Sequence, residues 1–168
     1  MTTIPARDCF PNMPDALFEM WIQPEINSNG WPFRGNETMV FHSTWSKYLR
    51  DLGPNFWRGV IWSRVSQTVI PVSLEERAKN IANMLSKVGR KFVETGVAEP
   101  TRVKDSPQKV AALADLSKSL GQIPKPLVCL VQGSEWWLMD GHHRLGALLM
   151  LGAQDSIPFD CWLGTHEL

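Results

Sequence analysis

The stretch Leu127-Val128-Cys129-Leu130-Val131-Gln132-Gly133-Ser134-Glu135-Trp136-Trp137-Leu138-Met139-Asp140-Gly141-His142-His143-Arg144-Leu145 decides how this chain is read. Its first five residues are an apolar run introduced by Pro124 and Pro126, the pattern of a buried strand. Gln132-Gly133-Ser134 is a turn, so residues 135–139 return as the second strand of a hairpin. Asp140-Gly141 then leads directly into His142-His143-Arg144 and an apolar helix from Leu145 to Leu151, which Gly152 ends.

A strand that runs without a spacer into a helix start concentrates donors where the first backbone N–H groups have no intrahelical partner. The helix dipole and those amides favour an anion. Gly141 lets the backbone approach closely, and Arg144 offers a permanently charged fork, so phosphate suits the set. Asp140 would orient an imidazole or hold a metal carried by the phosphates. Two other readings stay open: a helix cap made by Asp140, with both histidines bonded to nearby carbonyls, and a two-histidine metal site. Adjacent histidines diverge by about 100° on a helix, and no third ligand stands near them in the sequence.

Working outward, Ser106-Pro107 supplies an N-cap with proline at the first helical position, and Val110, Leu113, Ala114, Ser117 and Leu120 mark one face up to Gly121. A final strand is expected near 157–163. Farther upstream, Ser73-Leu74-Glu75-Glu76 has the form of a capping box, and Ala78, Ile81, Ala82, Leu85, Val88 and Phe92 follow at helical spacing. The other face of that helix, about 74–95, carries Arg77, Lys79, Lys87, Arg90 and Lys91; it is a solvated face or a surface that tracks DNA phosphates. The β-branched stretch from Val60 to Val72 predicts a strand or hairpin. Before it, recurring prolines limit helices to about ten residues, with Ala16–Ile22 and Thr44–Arg50 as candidates. The chain therefore divides into an N-terminal extension, 1–90, and an α/β (α+β) domain, 97–164.

Composition bounds the function. The 168 residues are 43% hydrophobic and 20% charged, as in an ordinary globular domain, and 17 basic against 17 acidic side chains give no global field to draw a polyanion. Three scattered cysteines make no disulfide scaffold or zinc site, and neither a leader nor an apolar run of membrane-spanning length is present, so a cytoplasmic protein without membrane contact is expected. Eight tryptophans accompany a single tyrosine. In Phe56-Trp57-Arg58-Gly59-Val60-Ile61-Trp62-Ser63-Arg64 the indoles would stack bases, meet a host or self protein, or form the core of the extension; the core reading is preferred.

The order of a helix with Lys109-Val110, a Pro-Lys-Pro-led strand, Trp-Trp-Leu-Met-Asp-Gly-His-His-Arg and Ile-Pro-Phe-Asp resembles the ParB/sulfiredoxin superfamily over residues 97–164. The resemblance implies a small α/β fold with a mixed sheet, whose helix N-terminus binds a nucleoside triphosphate, ATP or CTP, with Mg2+. It further implies a phage or plasmid accessory protein, with NTPase or DNA-directed nuclease activity in some members. Gly141, His143 and Arg144 fall on the phosphate motif and Lys109 on the lysine of the nucleotide-contacting helix, while His142 takes the place of the sulfiredoxin catalytic cysteine. An imidazole cannot carry the sulfur chemistry that repairs a sulfinic acid. Neither that repair nor centromere binding is expected, since His-His-Arg replaces the partition motif and no helix-turn-helix follows. The free-serine kinase members carry Asp-Gly-His-His-Arg and an early acidic base, for which Glu99 is the candidate; Asp140 would then hold Mg2+. A non-enzymatic interaction module is the third reading.

Overall fold

The computed structural model describes residues 5–31, 45, 48–71, 73, 74, 106–151 and 157–166. Its helices are Ala6–Cys9 (α1), Asp15–Leu17 (α2), Gln23–Asn29 (α3), Pro54–Arg58 (α4), Ser106–Leu120 (α5) and His142–Leu151 (α6). The strands are Val60–Gln67 (β1), Leu127–Gln132 (β2), Glu135–Asp140 (β3) and Phe159–His166 (β4). They form one mixed sheet in the order β1-β4-β2-β3, giving the expected α/β class.

The hairpin of β2 and β3 forms as read, turning at Gly133 with φ +60°. A bulge at Val128/Cys129 leaves Met139 as the extra residue and sets Asp140 opposite Val128. Bulges re-aim side chains beside functional sites, and this one lies at the strand end that feeds α6. Strand β4 lies parallel to β2 and antiparallel to β1, with Val60 facing His166 and Gln67 facing Phe159. The Val60 region is thus a strand and not a hairpin: it stops at Gln67, has no turn of its own, and takes a partner from the far end of the chain. Strand β4 also runs three residues past Leu163. Gly164 permits this because a Cβ there would lie 2.8 Å from Val60 Cγ1 and 2.9 Å from the Trp62 ring.

Helical backbone continues from Asp15 to Asn29, longer than the prolines suggested. A wide π-type turn, Phe18–Ile22, lets the Gln23 N–H donate to the Phe18 carbonyl just before Pro24, which enters at the start of α3. Proline is tolerated there because its missing N–H falls where the regular ladder is already interrupted.

The sheet is covered on both faces. On one, Val60, Trp62, Val128, Leu130 and Met139 pack against Phe10, Leu17, Trp21, Trp45, Leu49 and Trp57. The rings meet mostly edge to face, as at Trp21–Trp57, 5.9 Å, and Trp31–Trp45, 4.9 Å. Two of the buried indole N–H groups are satisfied, Trp45 donating to the Gly30 carbonyl at 2.9 Å and Trp57 to the Leu52 carbonyl at 3.0 Å, whereas those of Trp21 and Trp62 have no hydrogen-bond partner among the described residues. Trp57 and Trp62 are therefore core. On the other face, Leu127, Cys129, Leu138, Phe159 and Cys161 pack against Leu145 and Leu148 of α6. Helices α5 and α6 pack closely because Gly146 has no side chain: a Cβ there would stand 3.3 Å from Val110. The three cysteines are buried and form no disulfide. Among the described residues no helix is long and apolar enough to cross a membrane. The basic helix expected at 74–95 lies outside the described residues beyond Leu74.

Candidate functional site

The end of β3 delivers Asp140 to the first turn of α6. Gly141 takes φ +103°, a conformation side chains rarely adopt, and its carbonyl accepts the first helical bond, from Leu145 N–H at 2.8 Å. Gly141 is thus the residue from which the helix starts, and it carries no capping side chain. The carboxylate of Asp140 engages Arg144 instead, whose Nη2 donates to Oδ2 at 2.7 Å across one helical turn. Asp140 is therefore an ion-pair partner of Arg144 and not the cap of the helix.

Arg144 is folded back, its side chain only 12% exposed against 36% for Asp140. Its Nε and Nη2 lie 3.2 Å from where a Cβ of Gly141 would be. The absent side chain of Gly141 is thus the seat of the guanidinium as well as a place of close backbone approach.

His142 and His143 leave the same turn in different directions. His142 keeps an exposed surface and His143 is half-buried. Protein surrounding the rings lowers both pKa values below the usual 6.5, mainly by desolvation. For His142 the neighbouring His143 and Arg144 add to the fall and Asp140 opposes it. For His143 the second cause is Lys109, reaching across from α5. Both imidazoles are neutral at pH 7, each retaining one N–H donor.

The fold thus brings together Lys109, Asp140, Gly141, His142, His143 and Arg144. Glu99 lies outside the described residues. Among those described, no three His, Cys, Asp or Glu side chains converge on a metal position. Asp140 is a single half-exposed carboxylate: it fits a Mg2+ ion that brings its own phosphate and water ligands, since such ions commonly take one or two protein carboxylates.

The sequence reading missed Tyr48. Its hydroxyl donates to the Trp21 carbonyl at 3.0 Å, and its ring lies against Trp21 and Trp45. Burial pushes its pKa up, and Asp140 is the next cause, with Arg144 acting in the opposite sense. The aromatic layer therefore reaches the site through this residue. Being the sole tyrosine among so many tryptophans was the available signal. No family model, no curated protein and no solved structure matches the chain.

Proposed function

We propose that the chain binds the phosphates of a nucleoside triphosphate, ATP or CTP, at the first turn of α6, with Mg2+ accompanying them. The observation that carries this reading is the convergence of Lys109 from one helix with Gly141, His143 and Arg144 from another. Two permanent or near-permanent cations and neutral imidazole donors stand where a helix presents unpaired amides, an arrangement suited to phosphate oxygens. Lys109 and Arg144 neutralise phosphate charge, His143 donates a hydrogen bond, and Asp140 takes the accompanying cation. His142 stands at the outer rim, where an acceptor or a water would approach. The phage or plasmid accessory role, and the NTPase or nuclease activity, rest on the family resemblance alone.

The test is calorimetric titration with ATP, CTP and GTP, each with Mg2+, on the parent chain and on the His143→Ala, Arg144→Ala double variant. Binding by the parent that the variant loses is the expected result. An absence of heat with all three nucleotides would overturn the reading.

A further inference from the structure

We infer that β1 pairs antiparallel with β1 of a second copy of this chain, centred on Ser63, so that the two sheets join edge to edge into one. This pairing is independent of the phosphate reading of α6.

The two edges of the sheet differ. Strand β3 is protected: its Trp136 N–H donates to Ser73 Oγ at 3.2 Å, a bulge interrupts its register with β2, and it begins and ends on the carboxylates Glu135 and Asp140. Strand β1 lacks these devices. It runs from Val60 to Gln67 without proline, and its register with β4 is unbroken throughout. Among the described residues no strand lies outside it. Its single charge, Arg64, is drawn toward β4, where Nε donates to Asp160 Oδ2 at 3.0 Å and Ser66 Oγ donates to Oδ1 of the same carboxylate at 2.6 Å. Ile61 is nevertheless 53% exposed on this edge.

The strand matches itself. Ile61, Ser63 and Val65 share the α6 face of the sheet, and Trp62 and Arg64 share the other. Two copies related by a two-fold axis perpendicular to the sheet keep these faces aligned only when the axis passes through a residue. An axis at Arg64 opposes two arginines, one at Trp62 sets Ile61 against Ser63, and one at Val65 leaves Ile61 beyond the paired stretch. An axis at Ser63 sets Ile61 against Val65, Ser63 against Ser63 and Arg64 against Trp62, apolar on apolar and cation on indole. A formal net charge of zero leaves no general repulsion between the copies.

Sedimentation equilibrium of the full chain is the test, for the parent and for Ile61→Lys, with cysteine variants for the register. The parent is expected to show a reversible equilibrium between monomer and dimer. Ile61→Lys puts a charge on an exposed edge position and should weaken dimerisation by about tenfold, with its fold retained by circular dichroism. In Ser63→Cys the two new thiols stand directly opposite, with Cα atoms about 4.5–5.5 Å apart, within disulfide reach. Oxidised glutathione should therefore link the copies, and the native cysteines, all buried, leave the new thiol as the one exposed to it. Ser66→Cys, set opposite Val60, should stay unlinked. A parent that remains monomeric at every concentration would overturn the pairing. A dimer that a folded Ile61→Lys leaves intact, or one that Ser66→Cys links as readily as Ser63→Cys, would overturn it as well.

Discussion

A Cβ on Gly141 would lie 2.6 Å from Cδ2 of Leu127, so the first residue of β2 closes the space beside the first turn of α6. Combined with φ +103°, this makes Gly141→Ala costly whether or not a ligand is bound. The substitution should destabilise the fold by about 2–4 kcal/mol through backbone strain and overpacking, read as a lower urea midpoint at unchanged m value. A stability equal to the parent's would show that Leu127 and Arg144 yield freely.

Arg144→Ala separates binding from folding. It removes a charge-assisted phosphate contact, so triphosphate affinity should fall by about 1.5–3 kcal/mol. The pair it breaks is partly solvated at Asp140, so the loss of stability should stay below about 1 kcal/mol. Calorimetry and thermal melting on the same preparation give the two numbers; a large stability loss with affinity intact would reassign Arg144 to a structural role.

The histidines give the site a pH signature. Both folded-state pKa values lie below the ordinary 6.5, so between the folded and unfolded values the unfolded chain holds more protons than the native one. Their contribution to stability is therefore complete above about pH 7 and is lost as pH falls through 6.5 and below. An anion at α6 favours the imidazolium form, so its binding should take up protons and strengthen as pH falls over the same range. Melting curves from pH 5 to 8, and titrations in buffers of differing ionisation enthalpy, test the two halves. A His142→Gln, His143→Gln variant should flatten both profiles.

Trp57→Ala decides between a core tryptophan and a stacking surface. Trp57 is fully buried and bonded to the Leu52 carbonyl, so truncation should cost about 3–5 kcal/mol. Loss of nucleic-acid affinity at parental stability would contradict the packing described.

What the sequence made legible was local. The hairpin, the helix at Ser106, and the strand-to-helix passage at Asp140-Gly141 each carry their own turn or cap signals, and each forms within a few residues of the reading. Strand β1 carried a β-branched signal but no hint of its partner, because pairing with β4 depends on packing across the whole chain. Pro24 misled for a related reason: a π-type turn absorbed it, and no residue pattern announces that turn. In the site, the motif was visible as neighbouring letters, and Lys109 entered through the family resemblance. Tyr48 had only its uniqueness to mark it, because burial and the fold of the aromatic layer, rather than spacing, bring it within electrostatic range of Asp140.

The position of β4 governs the order in which this protein can assemble. It comes last of the described strands yet lies inside the sheet, between β1 and β2. The Thr165 hydroxyl that donates to the Ile61 carbonyl joins positions 104 apart. On the ribosome, the chain emerges with β1 lacking its neighbour and the tryptophan layer lacking much of its floor until residues 159–166 follow. Only the β2–β3 hairpin closes early. Long-range closure makes such folding slow, and a nascent chain stalled before residue 159 would expose the apolar faces that the finished protein conceals.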